Sequence, residues 1–111
     1  MIYAPYAFLF PNHFKSFLCE KKMPLLSAFQ GILIYMYYFD NIQHQSAHIH
    51  VHYQEKSCVI GINDHQIING KIPNQKLKLV LTWMELHQLE LEENWKKAIN
   101  GINISPISPL S

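Results

Sequence analysis

The chain predicts an α+β fold: an antiparallel β-meander of about four strands, followed by one kinked or two consecutive α-helices packed on the sheet. Three observations carry this. Residues His48 to Tyr53 alternate strictly, with histidines at one parity and Ile49, Val51 and Tyr53 at the other. That is the period-two signature of a half-buried strand. Neighbouring strand-like segments are joined by short turn signals, too short for the crossover that a parallel pair requires. After Pro73 the apolar residues return every three or four positions as far as Ile99, as on a helix with a buried stripe.

The bulk properties narrow the class. A length of 111 residues fits one domain, and 49% hydrophobic residues suffice for a single core. Charged residues make up 15% and the net charge is +1, so neither a disordered chain nor a basic nucleic-acid-binding face is indicated. The two cysteines, Cys19 and Cys58, form no CxxC and suggest a reduced, intracellular protein. No apolar run reaches the roughly 18 residues of a membrane span, and residues 1–22 lack the basic start of a secretory signal. A cytoplasmic protein with no membrane association is the expectation.

Residues 1–22 read as an N-terminal extension outside the fold, and residues 23–111 as the domain. The aromatics Tyr3, Tyr6, Phe8, Phe10, Phe14 and Phe17 follow no sustained period. Glu20-Lys21-Lys22 precedes Met23, and Glu and Lys codons are all-purine, as in a ribosome-binding sequence. Met23 is therefore the expected native start. The other reading is a real arm that covers a sheet edge.

The first strand falls in the nearly continuous apolar run Phe29 to Phe39, after Gly31. Asp40 to Ala47 is polar and makes a loop. His48 to Tyr53 is the second strand, Gln54 to Ser57 a turn, and Cys58 to Ile62 the third strand. Asn63-Asp64 signals another turn, and Gln66 to Ile68 forms a short fourth strand ending at Asn69-Gly70. Pro73 suits a first helical turn. Leu77, Val80, Leu81 and Met84 share a helix face, which Leu79, Trp83 and Leu86 widen. His87 to Leu89 marks a kink or a break. Leu91, Trp95, Ala98 and Ile99 continue the stripe, with Glu92–Lys96 and Glu93–Lys97 as i,i+4 pairs, and Gly101 stops the helix. Asn103 to Ser111, with Pro106 and Pro109, is an extended tail.

Chemistry is densest between Ile34 and Tyr53, where four of the seven histidines lie. His48, His50 and His52 share a strand face, and imidazoles spaced by two can converge on one ion. Asp40, His44, His48 and His50 meet the ligand count of a zinc-like divalent site. The plainer reading is a polar sheet face whose histidines bond to loop backbone or to Asp40. Tyr35, Tyr37 and Tyr38 suit either base stacking or the core, with the core favoured. Trp83 and Trp95 read as helix-to-sheet packing, His87 as a cap or kink, and Cys58 as a buried, inert thiol. No phosphate-binding Gly-rich loop, Ser nucleophile motif or paired carboxylates occur.

Tyr35-Met36-Tyr37, Asp40, His48-x-His50-Val51 and Trp83-x-Glu85-Leu86-His87 with Asn94-Trp95 together resemble a small bacterial family, domain of unknown function 4160. Met23-Pro24-Leu25-Leu26-Ser27, Gly70-Lys71-Ile72-Pro73 and Ile107-Ser108-Pro109-Leu110 match further family motifs, so the likeness spans residues 23–110. Ala47 stands where many members have Pro. Asn63, Asp64 and His65 stand where many have an acidic residue late in the third or fourth strand. The resemblance implies a gene placed beside that of a second small protein, in a toxin–antitoxin-like pair.

Two functions from different classes follow. One is a partner-binding component of such a pair, with a small protein from the neighbouring gene as partner and homo-oligomerisation open. The other is a metal-dependent hydrolase or nuclease in which His44, His48 and His50 hold a divalent ion and Asp40 serves as ligand or general base. The first is favoured, because no substrate pocket or general base is legible.

Overall fold

The computed structural model describes residues 24–38 and 46–111. The expected extension 1–22 lies outside the described residues, as do Asp40 and His44. Five strands run in the order β1 (Leu25–Phe29), β2 (Ile32–Tyr35), β3 (His48–Tyr53), β4 (Lys56–Gly61) and β5 (Ile67–Gly70). Each pairs antiparallel with the next, so the sheet is a meander in sequence order. Two helices follow, α1 (Asn74–Leu86) and α2 (Gln88–Ile99). The fold is α+β, with one strand more than the sequence suggests.

The additional strand is β1. The apolar run is folded back at Gln30-Gly31, whose φ values of 49° and 80° make a tight hairpin turn. β1 escapes a periodicity reading because its register with β2 shifts between Leu25 and Ser27. The shift leaves Leu26 and Ser27 both buried, which cancels the alternation. Ser27 pays for that placement: its hydroxyl has no hydrogen-bond partner among the described residues.

Pairing fixes the two faces. Phe29, Ile32, Ile34, Ile49, Val51, Cys58 and Ile60 point to one side, and with Ile62 they form one cluster with Val80, Trp83, Met84, Leu91 and Ala98 of the helices. Burying each Ile or Leu side chain contributes about 1.5–3 kcal/mol, so this layer dominates stability. The outer face carries Ala28, Leu33, Tyr35, His50, His52, Ser57, Val59 and Asn69. Tyr35 and Tyr37 are therefore not core residues; they are partly exposed on the side away from the helices. Tyr38, also partly buried, donates its hydroxyl to Asn103 Oδ1 across 3.3 Å.

Two glycines are required by geometry. Gly70 has φ +74°, and a Cβ there would sit 2.3 Å from the Ser57 carbonyl oxygen. At Gly61 a Cβ would lie 2.5 Å from Asp64 Oδ1. That oxygen accepts from the Gln66 N–H at 3.1 Å and so closes the β4–β5 turn.

The helices break at His87, whose φ of −121° and ψ of 29° leave the helical region. Pro73 is the N-cap of α1, one position before the first helical turn. α2 ends in a Schellman motif: the Ile102 N–H donates to the Lys97 carbonyl and the Gly101 N–H to that of Ala98, with Gly101 at φ +71°. Neither expected Glu–Lys pair forms. Glu92 accepts from Gln88 Nε2 at 2.9 Å, and Lys97 donates to Ser105 Oγ at 3.2 Å.

The C-terminal tail closes the β1 edge. Asn94 is buried and grips Ser105 at both ends, with Nδ2 donating to the carbonyl at 2.9 Å and Oδ1 accepting from the N–H at 2.8 Å. Trp83 Nε1 donates to the Ser108 carbonyl at 2.8 Å, and the Ile107 N–H reaches Leu26 O at 2.8 Å. Among the described residues, no helix is long and apolar enough to cross a membrane.

Candidate functional site

β3 and β2 bring the histidines and tyrosines together on the outer face. His50 and Tyr37 stack with ring centroids 3.9 Å apart and 6° between planes. His52 meets Tyr35 edge to face at 5.2 Å. His48 lies 5.2 Å from His50. Of the four residues proposed for a metal, His48 and His50 are adjacent, while His44 and Asp40 lie outside the described residues. Among the described residues, no group of three or more His, Cys, Asp or Glu is placed to hold a metal ion.

His48 differs from its neighbours because it is fully buried at the start of β3. Trp95 of α2 covers it, ring to ring at 5.0 Å. Its Nδ1 is 2.7 Å from the Ser46 carbonyl oxygen. A carbonyl only accepts, so Nδ1 donates this bond. Burial depresses the pKa of His52, and the adjacent His50 depresses it further, so the neutral ring is favoured there. Burial pushes the Cys58 thiol up to about 11, as an inert core thiol requires.

A second cluster sits where the β4–β5 turn meets the helix break. His65, at φ 58°, donates from Nε2 to Gln88 Oε1 at 2.7 Å, and Gln88 Nε2 donates to the Ile62 carbonyl at 2.9 Å. His87 Nδ1 pairs with Glu90 Oε1 at 2.5 Å, and its ring lies 5.6 Å from that of Trp83. His87 is thus the break residue, held by its own helices. These bonds tie the helix junction to the turn that leads into β5.

The sheet's two edges differ. β1 is met by the tail. All four residues of β5 are exposed, with Ile67 at 40% and Ile68 at 43%. The register of β5 on β4 passes from Asn69 to Ile67 and steps over Ile68, a bulge at the edge. Leu86 and Leu89 are also exposed, at the helix junction tethered to the same turn. This open edge is not identified in the sequence analysis above. Its signal was present: Ile67-Ile68-Asn69-Gly70 contains neither the Lys nor the Pro that commonly protects an edge.

Sheet, helices and tail define a small α+β domain: a five-stranded meander covered on one face by two consecutive helices. The chain belongs to the family described as "Domain of unknown function (DUF4160)", whose profile matches residues 31–96. That span runs from the β1–β2 turn into α2 and includes the whole histidine face. No curated protein and no solved structure matches the chain.

Proposed function

We propose that this domain is a partner-binding component of a toxin–antitoxin-like gene pair, and that its partner, the small product of the neighbouring gene, adds a strand to β5. The difference between the two edges carries this reading. One edge is met by the protein's own tail, whereas among the described residues no strand pairs with the outer side of β5, which carries two exposed isoleucines. Added strands gain affinity from main-chain hydrogen bonds and specificity from side-chain pockets, which Ile67, Leu86 and Leu89 are placed to supply. Co-purification of the full chain with the adjacent gene product tests it. The complex is expected to survive with the wild type and to be lost with Ile68→Pro. Ile68 lies outside the β4 register, at a bulge on the edge strand, a position where Pro is tolerated within a sheet. Failure of the wild type to capture the adjacent gene product refutes the proposal.

The second reading, a divalent-metal hydrolase or nuclease using His44, His48, His50 and Asp40, draws support from one feature. The Ser46 carbonyl orients His48 as a backbone acceptor orients a metal-ligating imidazole. About one equivalent of zinc, iron or manganese in tag-free protein, lost in His48→Ala, is the result this reading expects. Metal-free folded protein rejects it.

A further inference from the structure

The exposed β5 edge runs between corners of different charge. Its first residue, Ile67, follows the turn that holds Asp64, and its last, Gly70, is followed by Lys71. The helix junction lies at the Ile67 corner, because Gln88 bonds both His65 and the Ile62 carbonyl. The two stretches that meet there, residues 57–70 and 79–95, hold the acidic residues Asp64, Glu85, Glu90, Glu92 and Glu93 and no Lys or Arg. Between them opens a cleft of about 400 Å³ lined by Asn63, Asp64, His65, Glu85 and Gln88. The Gln88 amide is already engaged at both ends, with His65 at Oε1 and with Ile62 and Glu92 at Nε2. Asp64 spends Oδ1 on the Gln66 N–H, and Glu85 is exposed. The charge that meets an incoming group is therefore negative, and it adjoins the exposed side chains of Ile67, Leu86 and Leu89.

We infer that the strand received by β5 carries a Lys or Arg at its end beside Ile67, and that this cation enters the cleft between Asp64 and Glu85. The inference deepens the edge reading proposed above and rests on it. Main-chain hydrogen bonds along an open edge supply affinity without choosing among strands, so the choice falls to side chains. Complementary charge at a rim steers encounter and sets register more than it tightens the complex. It also fixes direction here, because a basic residue at the Gly70 end would face Lys71 instead. Arg suits the cleft best: its fork of N–H donors can span two carboxylates, whereas Lys brings a compact point charge. Both carboxylates are open to water, so the attraction is screened by salt and modest in size.

Binding of the adjacent gene product to the full chain, followed by biolayer interferometry at about pH 7.5 in about 50 and about 500 mM NaCl, tests this. Asp64→Asn keeps the oxygen that closes the turn, and Glu85→Gln keeps the length of an exposed side chain. The double variant should show the wild-type far-UV circular dichroism spectrum. At low salt it is expected to bind about fivefold more weakly, mainly through slower association, and the gap should close at high salt. Glu85→Gln alone gives the same test with an effect of about twofold should the double variant misfold. Lys71→Gln, at the other end of β5, should bind no more weakly than the wild type. A double variant that binds as tightly as the wild type at low salt overturns this inference and leaves the edge reading standing, with Ile68→Pro as its check. So does a loss equal at both salt concentrations, which marks a change in the shape of the turn rather than in its charge. A wild type that does not bind the adjacent gene product overturns both.

Discussion

Replacing Asn94 by Ala tests how the tail is held. Asn94 is a buried polar residue on α2, and both ends of its amide bond to the backbone of Ser105. Each such hydrogen bond contributes about 0.5–1.5 kcal/mol net, and a buried backbone group left without a partner costs about 1–3 kcal/mol. Water reaches Ser105, which is exposed, so the lower figures apply to its backbone groups. The expected loss is roughly 2 kcal/mol, which for a domain of this size lowers the Tm by about 8–16 °C. The local consequence is more specific. Ser105 is two residues before Ile107, whose N–H bonds to Leu26 on the β1 edge. Loosening Ser105 should therefore increase hydrogen exchange at the Ile107 amide far more than at amides in the centre of β3. Differential scanning calorimetry and amide exchange read the two effects. A Tm within about 1 °C of wild type, with Ile107 protection unchanged, refutes the claim that Asn94 holds the tail on the sheet edge.

Other positions give equally direct outcomes. Gly70→Ala forces a left-handed φ that costs about 1–2 kcal/mol and drives a methyl into the Ser57 carbonyl, so the denaturation midpoint should fall steeply or soluble protein be lost. Ser27→Ala removes a buried hydroxyl with no partner among the described residues and should leave the Tm unchanged or raise it slightly. Burial, and then the neighbouring His50, hold the pKa of His52 below the ordinary histidine value of 6.5, so its contribution is present above pH 6.5 and is lost as pH falls through the folded value. His52→Gln should therefore flatten the Tm-versus-pH curve between pH 7 and 5. The change is small, because water reaches the ring.

Much of this architecture is legible in the residues. β3 declares itself because its pleat is unbroken, and the Schellman stop at Gly101 because few residues other than Gly accept that φ. β1 stays hidden because a bulge at Leu26 turns two consecutive side chains inward, and because Gln30 gives no strong turn signal. The burial of Asn94 was readable, since with Leu91, Trp95 and Ala98 it completes the i, i+3, i+4, i+7 stripe of α2. The orientation of the histidine face was not. It depends on which side of the sheet α1 and α2 cover, and that is decided by packing partners such as Phe29 and Trp83, far apart in sequence. Identical alternation in β3 would result with the helices on either side.

The central claim, that β5 receives a partner strand, is tested most directly by amide hydrogen exchange. The full chain is measured alone and in complex with the adjacent gene product. The account predicts that amides within Ile67–Gly70 exchange rapidly in the free protein and become strongly protected in the complex. A stable complex in which β5 exchanges as fast as in the free protein contradicts it.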